Sequence, residues 1–323
     1  MDFGSRVGRR LTASSLRRAS VDEVPVSATP DYHPLELPPG TLPAYAEAEL
    51  TTAQFVKLSH FIESRFGIKT SEAKKIMLES RLRKRLRALG FESFGPYVDR
   101  VLAGDEAELV HMIDEVTTNT TQFFRQAAHF DYLAQVAVPT IVADRRPNPP
   151  GDLRVWSSAC STGEEPYTLA MVLSEACEAH PALRWRVLAT DISTAVLDEA
   201  IHATYPEERV APVPMSLRHK YLLRKADGSP VVRIGPKLRQ RVTFQQWNLL
   251  ERSFEALGPM EIIFCRNVFI YFEKRLQAEI LRRFEQMLVP GGYLFIGHSE
   301  TMNGLDIPLV PVNPTVYRKP LEA

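Results

Sequence analysis

Apolar residues recur every three or four positions along residues 51–135, and this spacing predicts helices. In TTAQFVKLSHFIESRFG (51–67), Phe55, Leu58, Ile62 and Phe66 share one face, and Gly67 closes the helix. In SEAKKIMLESRLRKRLRALG (71–90) the stripe is Leu78, Leu82, Leu86 and Leu89, with Ser71 capping the start and Gly90 the end. Two shorter helical patterns follow at Tyr97–Leu102 and Ala107–Val116, with no strand pattern between them. From residue 152 the period changes. LRVWSSAC, WRVLATDI, RVTFQQWNL, MEIIFCRN, YLFIGHSE and PTVYRK read as strands. EEPYTLAMVLSEACEAH, STAVLDEAIHATY and EKRLQAEILRRFEQMLVPGG read as helices, the last closed by Pro290, Gly291 and Gly292. Strands alternating with helices imply a doubly wound parallel sheet with right-handed crossovers. Residues 206–240 are too many for one crossover. Their short pieces YLLRK and VVRIG around a DGSP turn predict a small inserted β-subdomain.

The organisation expected is therefore an Arg- and Pro-rich tail and linker over 1–45, a helical domain over 46–135 and a sheet domain over 136–323. A length of 323 residues fits about two domains, and an apolar content of 45% is ordinary for a globular chain. No apolar run is long enough for a membrane helix, so no membrane insertion is expected. The formal net charge of zero gives no global pull toward nucleic acid. Cys160, Cys177 and Cys265 form no C-x-x-C pair. They are expected as small buried residues in a reducing cytoplasm. No metal-ligand spacing occurs, and no metal is expected.

The chemistry concentrates in CSTGEEPYTLAM (160–171), a strand-to-helix turn. Such turns usually hold phosphate at the positive helix end. Here Glu164 and Glu165 occupy that place. A pyrophosphate about 4 Å from such a carboxylate meets a repulsion of roughly 4 kcal/mol at an effective dielectric near 20. A cationic ligand reverses the sign. S-adenosylmethionine carries a sulfonium and an ammonium and no phosphate, so Gly163 can admit its backbone approach and an acid can hold its ammonium. Asp191, ending the next strand in ATDIS, is placed for ribose hydroxyls. The bland alternative is that the two glutamates only favour the helix start.

Five ordered segments strongly resemble the chemotaxis receptor methyltransferases, the CheR family: TTNTTQFFR (117–125), CSTGEEPYTLAM, ATDIS (189–193), FCRNVFIYF (264–272) and PGGYLFIGHSE (290–300). The resemblance covers about 51–320. It implies a Rossmann-like α/β methyltransferase sheet with a β-subdomain, preceded by a small all-α domain. The implied reaction is methyl transfer from S-adenosylmethionine, leaving S-adenosylhomocysteine, to glutamates in the cytoplasmic domains of methyl-accepting chemoreceptors. Residue by residue, the resemblance implies cofactor contacts at Asn119, Thr121, Arg125, Glu165, Asp191, Asn248, Leu249, Arg266 and Asn267. Arg125 and Tyr271 fall where the family's residues nearest the chemistry lie. The short turn in RKADGSPVV points to members that reach receptors without a peptide tether.

A glutamate carboxylate, with a pKa of about 4.3, is already a nucleophile at neutral pH, so positioning rather than a base is needed. His298 in GHSE is accordingly left out of catalysis. The segment 69–90 holds eight cations against Glu72 and Glu79. Arg81, Lys84 and Arg85 are its candidates for docking an acidic receptor surface. Nucleic acid would want aromatics interleaved with the cations, and the helix has none. A monomer is expected. Two alternatives stand beside the main reading: a non-catalytic module that senses S-adenosylmethionine, and a methyltransferase acting on another acceptor.

Overall fold

The computed structural model describes residues 44–144, 152–181 and 183–321. The expected tail lies outside them up to residue 43. Among the described residues there are ten strands: β1 (Leu153–Ser157), β2 (Trp185–Asp191), β3 (Thr204–Pro206), β4 (Leu222–Arg224), β5 (Val231–Ile234), β6 (Val242–Gln246), β7 (Met260–Cys265), β8 (Leu288–Ile296), β9 (Val310–Asn313) and β10 (Val316–Arg318). The helices of the first part are α1 (Ala44–Glu47), α2 (Thr52–Phe66), α3 (Lys75–Leu89), α4 (Phe94–Leu102) and α5 (Glu106–Val116). They are followed by α6 (Ala127–Tyr132), α7 (Val138–Asp144), α8 (Glu164–Glu178), α9 (Thr194–His202), α10 (Met215–Tyr221), α11 (Pro236–Arg239) and α12 (Lys274–Met287).

The seven-stranded sheet runs β6-β2-β1-β7-β8-β10-β9. Its first five strands are parallel, and β10 and β9 close it as an antiparallel edge. The chain leaves β1 through β2 to β6, then returns to the other side of β1 with β7 and β8. That reversal opens a crevice at the carboxyl ends of the central strands. Side chains on the central strands alternate between two cores, as the pleat requires. Val155, Ile262, Phe264 and Phe295 pack with α6, α7 and α8. Trp156, Ile263, Leu294 and Ile296 pack with α12 on the opposite face. A third core, from Ala48 to Val116, belongs to the first five helices. Residues 43–323 nevertheless form one compact unit.

Several expectations need correction. The helical core ends at Val116, and Phe123, Phe130, Leu133 and Val138 already pack with the sheet. We therefore place the domain junction near 117–122 rather than at 135. Ser71 makes no side-chain cap; a short 3-10 turn, Glu72–Lys74, leads into α3. The last long helix stops at Met287, and Pro290 to Gly292 lie inside β8 at a shift in register with β7. An irregularity of this kind is where a strand tolerates proline, which has no N–H for the ladder. The sheet is mixed, because the β9–β10 hairpin adds an antiparallel edge. The insertion has three strands, ordered β3-β5-β4, since Thr204–Pro206 joins the expected hairpin. Cys160 and Cys265 are buried, but Cys177 is only half-buried.

Candidate active site

A single cavity sits at the crevice, with about 1200 Å³ of empty space including its open mouth. Each central strand delivers residues to it. Ser158, Ala159 and Ser161 follow β1, Asp191 ends β2, Asn248 and Leu249 follow β6, and Arg266 and Asn267 follow β7. Asn119, Thr121 and Arg125 enter from the segment joining the helical part to the sheet, Glu165 from α8, and Tyr271 from the turn before α12. All ten residues expected at a cofactor or catalytic position thus line one space.

The glycine turn itself behaves differently from the expectation. Gly163 adopts φ +96°, and a Cβ there would lie 2.7 Å from the Tyr205 hydroxyl and 2.9 Å from the Ala200 Cβ. The glycine is needed for close packing against α9 and the β-subdomain. The cavity is lined instead by the serines and alanine before it. Glu164 also points away. It is fully buried, accepts a hydrogen bond from the Thr162 hydroxyl at 2.7 Å and pairs with Arg209. Of the two glutamates, only Glu165 faces the cavity.

Glu165 is held from both sides. It accepts from the Ser157 hydroxyl at 2.7 Å and from Arg266 Nε at 2.7 Å. Arg266 lies beside the stacked rings of Phe130 and Phe264, with centroids 5.0 and 5.6 Å away, and donates Nη1 to the Arg125 carbonyl at 2.6 Å. Arg266 is therefore a buried tie between Glu165 and the Arg125 main chain. Asp191 accepts from the backbone N–H groups of Ser161 (2.8 Å) and Ser193 (3.1 Å). Burial raises its pKa against those bonds. Backbone conformation is unusual around the cavity: Phe124 and Gln126, which flank Arg125, and Ser161 and Asn267 all have positive φ. Such conformations cost energy for residues with a Cβ and concentrate at functional sites.

Sequence reasoning missed three contributors. Glu300 accepts from the backbone N–H groups of Asn267 (3.0 Å), Phe269 (2.8 Å) and Gly297 (2.6 Å), which fixes the loop after β7. Its position in GHSE was a usable signal. Trp247, next to the predicted Asn248, lines the cavity just after β6. Lys74 lines it from the helical part, with Nζ 5.7 Å from the centre of the Tyr271 ring. No sequence spacing ties Lys74 to Tyr271, nearly two hundred residues away.

Comparison with known proteins joins these elements. The family model for the CheR methyltransferase S-adenosylmethionine-binding domain matches residues 119–317, and that for the CheR all-alpha domain matches residues 53–117. The chain belongs to the CheR methyltransferase family. A chemotaxis protein methyltransferase of Salmonella typhimurium is 41% identical over 79% of this chain and 86% of its own. That of Escherichia coli is 40% identical over 83% and 91%, and that of Borreliella burgdorferi 37% over 84% and 95%.

S-adenosylmethionine is the cofactor of this CheR chain, and the residues fit it. Glu165 supplies a buried negative charge with lone pairs left for an ammonium, and Asp191 supplies acceptors for hydroxyls. Leu249, Trp247 and Val116 add apolar surface for a planar base. Among the described residues the cations at the start of α8 are Arg209 and Arg266, each already paired with one of its glutamates.

The expected docking residues on α3 all have partners within the helical part. Arg81 directs Nη1 to the carbonyls of Val116 and Thr117, both at 2.9 Å, and so caps the end of α5. Arg85 forms a two-pronged pair with Glu108 at 3.0 and 2.8 Å, and the Glu108 side chain is only 1% exposed. Lys84 pairs with Glu115 at 3.0 Å but stays exposed. Arg81 and Arg85 thus hold the helical domain together. His298 is exposed and meets the buried His129 edge-on at 4.9 Å.

Proposed function

We propose that this chain transfers methyl from S-adenosylmethionine to glutamate side chains of chemoreceptor cytoplasmic domains, forming glutamyl methyl esters. One observation carries the reading: the cavity separates its charges. Its buried part holds the Glu165–Arg266 pair and Asp191, two carboxylates against one cation, matched to the cofactor's ammonium and ribose. Its more exposed part holds Lys74 and Arg125, for which no carboxylate partner is found among the described residues, beside Tyr271. Two unpaired cations at the mouth suit an anionic acceptor.

When bound, S-adenosylmethionine supplies a methyl group on a cationic sulfur that leaves as a neutral thioether. Arg125 and Lys74 hold the incoming carboxylate, which is ionised at neutral pH. Tyr271 walls the space where oxygen and methyl carbon meet. Such a nucleophile needs no proton removed, and among the described residues no histidine lines the cavity. The residues act by holding the two partners in line, and such alignment lowers a barrier by roughly 7–11 kcal/mol in favourable cases. The relatives named as chemotaxis protein methyltransferases favour chemoreceptors as the partner.

Labelled methyl transfer to a purified chemoreceptor cytoplasmic fragment, followed by mild base, tests this. Label that enters the fragment and leaves as methanol identifies a glutamyl ester. Label resistant to base overturns the ester assignment and points to another acceptor atom. Tight cofactor binding without transfer favours a sensing module.

A further inference from the structure

Arg266 is the pivot of the site, and the structure shows what sets its orientation. Its Cζ lies 5.0 Å from the centre of the Phe130 ring and 5.6 Å from that of Phe264, beside two rings that stack on each other. The groups on its nitrogens give it direction. Glu165 stands on Nε at 2.7 Å. On Nη1 stand the Arg125 carbonyl at 2.6 Å, Gln126 Oε1 at 3.3 Å and His129 Nδ1 at 3.4 Å.

His129 lies on α6 and is 2% exposed. Its other nitrogen, Nε2, is 2.8 Å from the Thr315 hydroxyl. That hydroxyl donates its own proton to the Pro314 carbonyl at 2.7 Å. The oxygen then accepts from the ring at Nε2, and the Arg266 Nη1 donor facing Nδ1 at 3.4 Å favours the same Nε2–H tautomer. The tautomer leaves a lone pair on Nδ1, facing a cation. The charged and titratable groups around the ring are Arg266 after β7 and His298 after β8. Both disfavour a second proton on it, and burial adds to the effect.

We propose that His129 is a positioning residue of the active site: fixed as the Nε2–H tautomer by Thr315, it offers Nδ1 to Arg266 and so keeps the guanidinium engaged with both Glu165 and the Arg125 main chain. The arrangement links the β9–β10 turn, where Thr315 has φ +57°, to the cavity. A protonated ring would turn an N–H toward the guanidinium and push it off Glu165. The inference rests on Glu165 and Arg125 serving the cofactor and acceptor as read above.

The test is calorimetric titration of the full chain with S-adenosylhomocysteine, beside thermal melting, for the wild type, His129→Asn and His129→Gln. An asparagine amide oxygen reaches the place of Nδ1 and can still accept from Arg266. A glutamine amide reaches the place of Nε2 and retains only the Thr315 contact. The expected result is affinity within about threefold of wild type for His129→Asn and at least about tenfold weaker for His129→Gln, at similar melting temperatures. Equal weakening in both, or none in either, overturns the proposal. A wild type that fails to bind the ligand overturns the reading of Glu165 itself, which is visible before any variant is compared. Should both His129 variants fail to fold, Thr315→Ala against Thr315→Ser decides. Affinity lost several-fold in the alanine variant and restored in the serine variant supports the tautomer lock. Equal affinity in the two removes it.

Discussion

Burial, reinforced by Arg266 and the neighbouring His298, pushes the His129 imidazole down to about 3. In the unfolded chain an imidazole takes its proton near pH 6.5. Between those values the unfolded state binds the extra proton, so the stability that His129 contributes is complete above about pH 6.5 and is lost as pH falls below it. The slope reaches roughly 1.4 kcal/mol per pH unit for one full proton. Asp191 and Glu300 run the other way, because burial raises both. As pH falls, the folded state takes up their protons first, which adds stability in acid. Urea unfolding at pH 7 and pH 5 separates these contributions. The wild type is expected to lose more stability across that interval than His129→Phe, and equal losses would remove the assignment. At this scale the sequence words CSTGEEPYTLAM and FCRN each bring residues to the cavity. They were silent on direction: Glu164 and Glu165 are adjacent letters, yet one faces Arg209 and the other the cavity. Helical geometry turns consecutive side chains about 100° apart, so a pair of acids at a helix start rarely shares one task.

Helix α3 shows the same lesson along an element. Its apolar stripe was legible from spacing alone, and Leu78, Leu82 and Leu86 are buried as expected. The fate of Arg81, Lys84 and Arg85 was not legible, because their partners lie on α5 and just after it, some 23 to 36 residues away. Removing Arg85 leaves the Glu108 carboxylate buried and unpaired, so Arg85→Ala is expected to cost about 3–5 kcal/mol of folding stability. Lys84 is exposed, and Lys84→Ala is expected to cost less than about 1 kcal/mol. Chemical denaturation of the two variants checks the contrast. A stable Arg85→Ala protein with weakened receptor methylation would return Arg85 to the docking surface. Strands escaped the reading for a related reason. Thr204–Pro206 is three residues long, and Val310–Asn313 is exposed along its length and contains Pro311. The first is too short for its alternation to stand out, and the second has none.

The whole molecule works through the join between its helical part and its sheet, and that join also completes the cavity. Phe66, Ile68, Lys74 and Leu78 line it from the helical side. The Arg65 carbonyl accepts from Asn248 Nδ2 at 3.2 Å, and the Lys69 N–H donates to the Tyr271 carbonyl at 3.0 Å. Two of the predicted site residues are thus held by the chain just around Gly67. Gly67 and Gly90 both end helices with positive φ, at +74° and +68°. They differ in their surroundings. A Cβ at Gly67 would lie 2.7 Å from Leu276 Cδ2 and 2.8 Å from Leu250 Cδ1, whereas nothing stands within 4 Å of one at Gly90. Gly90→Ala is therefore expected to cost only the left-handed conformation, about 1 kcal/mol. Gly67→Ala carries the same cost and must also displace the leucines at the join. Its Asn248 and Tyr271 contacts shift with them. S-adenosylhomocysteine binding is expected to weaken several-fold in Gly67→Ala and to stay at the wild-type value in Gly90→Ala. Equal affinities in the two variants would mean that the helical part roofs the cavity without shaping it. A selective loss at Gly67 would mean that binding reads the position of the helical part, and that a surface docking on those helices can alter the site where the methyl is transferred.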